Sequence, residues 1–170
     1  MGEGETTRLV AWYDEMKAVH GRLRRALELV RETADHDDAG STGDETSTRR
    51  AVAHQELLVH CRGFCTALTR HHTSEDTTLF PEIGRRHPGL DATLRALRQD
   101  HSMIAYLVTD LEQTLDRAAD PASSRAAIGR HLDGVGAIME SHFRYEERAL
   151  GDVLAALDLV ADRDDVLGPI

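Results

Sequence analysis

Histidines and glutamates four residues apart are the features of this sequence with the clearest chemical meaning. His71 precedes Glu75 and His142 precedes Glu146, so the pattern His-x-x-x-Glu occurs twice. Residues four apart lie on the same face of an α-helix, so each pair directs an imidazole and a carboxylate toward one point. Imidazole nitrogens and carboxylate oxygens are ligands for divalent transition metals. Both pairs are therefore candidates for metal binding.

The positions of further histidines on the predicted helices strengthen this interpretation. The spacing alone is weak, because His72 also precedes an aspartate by four residues. However, His20 and His101 lie on the apolar stripes of two other predicted helices. A lone histidine on such a stripe is usually a hydrogen-bonded core residue. Inward histidines on all four helices, two of them paired with a buried glutamate that needs compensation, favour a metal site instead. The predicted ligands are His20, His71, Glu75, His101, His142 and Glu146.

The composition of this ligand set indicates which metal it would hold. Six ligands of mixed imidazole and carboxylate type exceed the four of a tetrahedral zinc site, and the set contains no thiolate. It therefore predicts two non-haem iron ions, with manganese as the less favoured alternative. We expect the carboxylates to bridge the ions. Ferritin-like dimetal bundles use Glu-x-x-His, a spacing that this chain lacks.

The elements that position these residues are helices. Apolar residues recur every three or four positions, which predicts an all-α protein. We expect helices at about residues 7–34, 48–87, 90–119 and 121–150, the second being kinked or ended at Pro81. Mostly short connections favour an antiparallel up-down-up-down four-helix bundle. The predicted domain covers residues 1–150 and holds the diiron site. A short amphipathic segment at 153–160 leads to a polar tail, and we expect residues 151–170 to form a short C-terminal helix and tail.

Composition excludes several classes of function. The 170 residues carry 20 basic and 30 acidic side chains, for a net charge of -10, and Lys17 is the only lysine. Nucleic-acid binding needs a clustered positive surface, so we expect no nucleic-acid partner. The chain has no apolar run of about 20 residues and no recognisable signal peptide, so we expect a soluble, cytoplasmic protein without a membrane partner. Cys61 and Cys65 are expected to be free structural thiols.

Taken together, these segments resemble the hemerythrin family, in particular its HHE cation-binding domains. The resemblance rests on residues 20–27, 64–81, 100–104 and 142–147, which include both His-x-x-x-Glu blocks with their flanking Phe, Leu and Pro residues. It implies a four-helix bundle around a non-haem diiron centre held by the six predicted ligands. Oxygen-carrying hemerythrins have a second histidine four residues after the one on the third helix, where this chain has Ala105. The resemblance thus implies a more open and more reactive site than that of a carrier.

Other polar residues near the predicted site are interpreted separately. His72 and Asp76 each follow a predicted ligand by one residue, so they face about 100° away and are expected to support the ligands. Tyr13 lies two turns before His20 and is expected at the end of the bundle, as a core residue or at the mouth of the site. His36, His54 and His87 are expected to face solvent.

A second polar layer is predicted three helical turns from the metal site. His60 precedes His71 by 11 residues and His131 precedes His142 by 11, a separation of about 16 Å. On the other two helices the same level is reached at Arg31 and Glu112. An apolar layer of Leu27, Phe64, Val108 and Val135 is expected to separate the two levels. We interpret the second polar layer as an ion-paired plug, with Arg31 beside Glu112, in preference to a proton relay or an accessory metal site.

These features predict a hemerythrin-like protein that binds, senses or turns over oxygen, peroxide or nitric oxide, with catalase-like or oxidase activity as open outcomes. One alternative is a metal-handling or iron-sensing protein without turnover. Another is a diiron oxidase that acts on a small organic metabolite, for which the mouth near Tyr13, Leu79 and Leu94 would serve as the substrate pocket.

Overall fold

The computed structural model describes residues 11–35, 44–117 and 121–170. All regular elements within these ranges are helical, so the all-α prediction is confirmed. A π-helical turn, Glu75–Leu79, and a short 3-10 turn, Pro88–Leu90, interrupt the α-helices. The predicted start of the first helix near residue 7 lies outside the described ranges. The α-helices are α1 Trp12–Asp35, α2 Asp44–Ser74, α3 Phe80–Arg86, α4 Asp91–Asp116, α5 Pro121–Ala155 and α6 Arg163–Leu167.

The four long helices pack into one bundle. Helix α1 packs against α5 and α2, and α4 packs against the same two helices. Contacts between α1 and α5 run in reverse order along the chain: Arg24 pairs with Glu140, and Arg31 pairs with Asp133. This reversal shows that α1 and α5 run antiparallel, as the predicted up-down-up-down order requires, and the order itself stays a prediction.

Apolar stripes on the long helices form the core. On α1 the buried positions include Met16, Leu23, Leu27 and Val30, which follow the helical repeat. Complete burial of one such side chain stabilises the fold by roughly 1.5 to 3 kcal/mol. Within the described residues, no helix is both long enough and apolar enough to cross a membrane.

Pro81 lies in the first turn of α3, directly after the π-helical turn. Proline has no N–H group to donate to the carbonyl four residues earlier. The chain accommodates this loss in the preceding π-helical turn, where the Phe80 N–H donates to the Glu75 carbonyl. The helical path then continues as α3 to Arg86. Single π turns of this type are frequent at functional sites, and here the turn begins at a predicted ligand.

The expected short C-terminal helix lies after the amphipathic segment. Helix α5 extends to Ala155, past its expected end near residue 150, and the last helix is α6. The side chain of Asp162 caps α6 by accepting a hydrogen bond from the Asp164 N–H at 2.8 Å. Gly168, with φ of 82°, ends it. The domain boundary at residue 150 stays a prediction, although the hydrophobic core continues past it to α6.

Candidate metal centre

The structure brings the six predicted ligands together at one level of the bundle. Each of the four long helices contributes one histidine, the π-helical turn contributes Glu75, and α5 contributes Glu146. All six side chains are buried, and the most exposed of them, His101, is only 3% accessible. We call this set the candidate metal centre: His20, His71, Glu75, His101, His142 and Glu146.

The histidines of the candidate metal centre form two close pairs. The Nε2 atoms of His20 and His71 are 3.1 Å apart, and those of His101 and His142 are 3.0 Å apart. Two ligands that bind one metal at right angles, each about 2.1 Å away, are themselves about 3 Å apart. Each pair thus has the spacing of two neighbouring ligands on a single ion.

The two carboxylates link the histidine pairs. One oxygen of Glu75 lies 3.4 Å from His71 Nε2, and the other lies 3.5 Å from His101 Nε2. The Oε2 atom of Glu146 lies 3.4 Å from His20 Nε2 and 3.6 Å from His142 Nε2. Each glutamate therefore faces two histidines, one from each pair, as a bridging ligand would.

The outer ring nitrogens fix the orientation of all four imidazoles. A carboxylate or a backbone carbonyl accepts from each Nδ1–H, so in the neutral form of each imidazole the lone pair lies on Nε2 and is directed into the centre. This arrangement is typical of metal-binding histidines. The acceptors are Glu147 Oε1 for His20 at 2.8 Å, the Leu167 carbonyl for His71 at 2.8 Å, Asp76 Oδ1 for His101 at 2.9 Å and Asp100 Oδ2 for His142 at 3.4 Å.

A metal ion fits this donor set. Both oxygens of Glu75 and of Glu146 are buried and have no hydrogen-bond donor among the residues that the structure describes. Buried carboxylates without a partner are strongly unfavourable, and facing Nε2 lone pairs repel each other. Positive charge between the pairs would satisfy the oxygens and the nitrogens together. The donor set therefore has the chemistry of a site for cations.

The pKa shifts of Glu75 and His71 agree with this interpretation, whereas Glu146 already has partial compensation, because the His20 imidazole lowers its pKa to about 2 against the effect of burial. Burial, followed by the nearby charge of Glu146, raises the pKa of Glu75 well above its ordinary value. Burial also lowers the pKa of His71 to about 3, so its imidazole stays neutral near pH 7. Neutral imidazole is the form that binds metals. An ionised Glu75 at this position requires a cation beside it.

The predicted supporting residues His72 and Asp76 both lie beside His101. Asp76 accepts a hydrogen bond from the Nδ1–H of His101, while the His72 ring stacks on the His101 ring with centroids 4.1 Å apart. His72 Nε2 is buried and has no hydrogen-bond partner in the described part of the chain. Potential ligand atoms of His72, His101 and His142 all lie within 4.8 Å of one another, so this group too could hold a metal ion.

Tyr13 lies at the end of the bundle and not at the metal level. Its ring packs against Gly151, and the Lys17 ammonium lies 4.2 Å from the ring centroid. The predicted mouth near Tyr13 is not lined by its other expected members, because Leu79 and Leu94 are fully buried in the core.

Sequence reasoning missed several residues that support the candidate metal centre. Glu147 follows the predicted ligand Glu146, and Asp100 precedes the predicted ligand His101. These neighbouring positions could have identified both acids as hydrogen-bond acceptors for the histidine ligands. Arg24 binds Glu147 at 3.1 Å and Glu140 at 2.7 Å, which secures the acceptor of His20. The carbonyl of Leu167 has no signal in the sequence, because any residue provides a carbonyl.

The second polar layer differs from its prediction. Its four members are only partly buried. Within the described residues Arg31 pairs with Asp133 at 3.5 Å and not with Glu112, so the expected ion pair is not formed. His131 lies 3.1 Å from the hydroxyl of Thr114. The layer comprises Arg31, His60, Glu112 and His131.

The apolar layer between the two levels is present. Leu27, Phe64, Val108 and Val135 are at most 4% exposed. These side chains lie in the continuous core of the bundle, so they separate the candidate metal centre from the second polar layer.

The remaining histidines and the cysteines have varied surroundings. His87 is exposed as predicted, whereas the prediction for His54 is wrong: it is 6% exposed, and within residues 11–35, 44–117 and 121–170 neither of its ring nitrogens has a hydrogen-bond partner. His54 lies three and seven residues before Leu57 and Cys61, which places it on their buried face. His36 lies outside the described residues. Cys61 and Cys65 are buried free thiols.

Comparison with known proteins agrees with the geometry. The model of the hemerythrin HHE cation binding domain matches residues 12–154, which include all six residues of the candidate metal centre. A search of curated proteins and a search of solved structures each find no match to this chain. Because the matched segment covers most of the sequence, the chain belongs to the hemerythrin HHE cation-binding domain family.

Proposed function

We propose that this protein holds two non-haem iron ions and reacts with oxygen, peroxide or nitric oxide. One observation carries the proposal: Glu75 and Glu146 each face two histidines, one from each of the two close histidine pairs. Two pairs with shared carboxylates favour two ions over one. Mixed imidazole and carboxylate ligands favour iron, and manganese is the alternative.

Bound iron would supply the redox chemistry, while the chain determines the ligand geometry and the access of solvent. The Nδ1 contacts hold the four imidazoles with Nε2 inward, which prepares the centre for metal. Phe143 stacks on His20 with centroids 3.8 Å apart, and Phe80 stacks on His101 at 5.4 Å. These rings exclude water from two sides of the centre.

We infer that the protein favours reaction over reversible oxygen carriage. Ala105, at the position where carriers have a further histidine, offers no ligand and is exposed. An ion with fewer protein ligands retains a position for a small molecule, as metal-assisted chemistry requires. The chemistry would take place in a reducing compartment such as the cytoplasm, in which Cys61 and Cys65 remain free.

A metal-handling or iron-sensing role is the second candidate. The buried, unpartnered carboxylates of Glu75 and Glu146 favour it, because they couple metal occupancy to the stability of the bundle. An oxidase for an organic metabolite has less support, since Leu79 and Leu94 are buried and do not line an opening.

The test is to load the purified protein with ferrous iron without air, measure iron per chain, and then add oxygen, peroxide or nitric oxide. We expect about two iron ions per chain, since the six ligands suit two ions of this type. We also expect an oxygen-induced spectrum that decays to a ferric form, together with breakdown of hydrogen peroxide. An adduct that releases oxygen intact under vacuum, without peroxide breakdown, would indicate a carrier. Two bound ions that respond to none of the three ligands would favour metal handling.

The ligand assignment is tested by substitution. The double variant Glu75→Ala, Glu146→Ala should lose most of its iron, because it removes both shared carboxylates. Glu112→Ala is the matched control, since this glutamate belongs to the second polar layer. Full iron content in the double variant would refute the proposed site.

A further inference from the structure

The α6 turn, residues 162–168, contacts the candidate metal centre from outside the segment that the family model matches. That match ends at residue 154. Helix α6 nevertheless packs against α1, α2 and the π-helical turn. Its residues Val166 and Leu167 are completely buried. The turn is therefore part of the fold at the metal level.

The direct link is a hydrogen bond to a candidate ligand. The Nδ1–H of His71 donates to the Leu167 carbonyl at 2.8 Å, and both groups are buried. A carbonyl oxygen can only accept, so His71 must carry its proton on Nδ1. Its Nε2 then presents a lone pair toward His20 and Glu75.

The backbone of the turn is shaped for this approach. Gly168 has φ of 82°, a conformation that side-chain-bearing residues rarely adopt. A Cβ atom on Gly168 would lie 2.9 Å from both Cα and N of His71. Such contacts are too short, and the backbone of α2 cannot move aside as a flexible side chain could. Glycine is thus required for the Leu167 carbonyl to reach His71.

The segment leading to the turn is also held in place. The Trp12 indole N–H donates to the Leu159 carbonyl at 3.0 Å, which ties the chain after α5 to the start of α1. The Asp162 cap then starts α6. Two anchors therefore precede the contact with His71.

We propose that the α6 turn is a clamp that fixes the tautomer and orientation of His71 for metal binding, with Leu167 and Gly168 as positioning residues. This proposal rests on the proposed metal-binding function. His20, His101 and His142 receive the same support from carboxylate side chains, whereas His71 receives it from the backbone of a separate segment. The clamp makes residues beyond the matched family segment part of the centre.

The test compares Gly168→Ala with Gly134→Ala in the full chain. Gly134 lies on α5 with open space at its Cβ position, so its substitution controls for the added methyl group. We expect Gly168→Ala to bind iron 10- to 100-fold more weakly, the usual effect of losing a group that supports a ligand. Faster transfer of iron to a chelator measures this loss, and Gly134→Ala should match the wild type.

A second measurement separates positioning from a general loss of stability. Nitrogen NMR of the His71 ring, with zinc as a diamagnetic probe and also without metal, should show a protected Nδ1–H in the wild type. In Gly168→Ala this signal should be lost or exchange rapidly. The Leu167→Ala variant keeps the backbone carbonyl, so the protected Nδ1–H signal of His71 should remain even if this variant melts at a lower temperature than the wild type.

The outcomes distinguish the two proposals. A Gly168→Ala variant that melts lower but keeps wild-type iron affinity and the protected Nδ1–H would overturn the clamp and leave the metal site intact. A wild-type chain that binds neither iron nor zinc would overturn the proposed function and the clamp with it.

Discussion

The candidate metal centre and the second polar layer have similar sequence origins but different structures. Each takes polar side chains from all four long helices, and 11 residues separate the corresponding positions. In the first, every side chain is at most 3% exposed, and the outer nitrogen of each imidazole has an acceptor. In the second, Arg31 is 32% and His131 is 29% exposed. Inward spacing alone therefore does not make a buried site.

The difference follows from the location of the acids. In the candidate metal centre, Glu75 and Glu146 point inward and meet no hydrogen-bond donor from the described residues. In the second polar layer, the acids that face Arg31 and His131 are Asp133 and Asp110, which are 77% and 50% exposed. Ionic groups at the surface are satisfied by water, whereas buried carboxylates need a cation. Only the first arrangement has the chemistry of a cation site.

The largest effect should come from removing the metal. Apo protein retains two buried carboxylates and four facing imidazoles, whereas bound ions stabilise only the folded state. When free iron is about 1,000-fold above its Kd, binding stabilises the folded state by about 4 kcal/mol. We therefore expect apo protein to melt on the order of 10 °C below the iron-loaded form. Calorimetry on both forms measures the difference. Equal melting temperatures would show that the polar groups of the candidate metal centre are stabilised without metal, as those of the second polar layer are.

The next effect concerns the aspartates that face histidines in the two regions. Asp76→Ala removes the acceptor for His101, so iron affinity should fall roughly 10- to 100-fold. Asp110→Ala makes the corresponding change beside His131 and should leave iron affinity unchanged. Competition with a chelator provides the affinities. If both variants lost iron equally, the second polar layer would also contribute to metal binding.

A smaller effect is expected from the ion pair of the second polar layer. Asp133→Ala removes the partner of Arg31, and partly exposed pairs contribute about 0.2 to 1 kcal/mol. Denaturant unfolding should show a loss in this range without a change in iron content. Asp116→Ala, which breaks the exposed pair with Arg62, is the control. A loss of several kcal/mol for Asp133→Ala alone would indicate a buried plug after all.

The smallest effect is expected at the thiols of the core. Burial raises the pKa of Cys61 and of Cys65 to about 12, so at pH 8 both remain protonated and unreactive. Folded protein should react with a thiol reagent far more slowly than the 2 cysteines of the unfolded chain. Rapid labelling of the folded protein at pH 8 would show that water reaches the interior near the apolar layer.

Sequence patterns predicted the helical class and the inward face of each helix because both depend on short-range spacing, and the convergence of six polar residues followed from the expected antiparallel bundle. His71 and Glu75, for example, share a helix face whatever the rest of the chain does. The same reasoning placed Leu27 and Val135 in the apolar layer. It failed for the pairing of Arg31, because a long side chain can reach acids in more than one direction.

By itself, then, the sequence determined which residue types share a face of each helix, since the helical repeat is a local property of the backbone. The tertiary structure decided which partners those residues meet. It buried His54, paired Arg31 with Asp133, and brought the carbonyl of Leu167 to His71 across 96 residues. Such contacts depend on the packing of distant segments and on backbone groups that every residue shares, so no local pattern in the sequence encodes them.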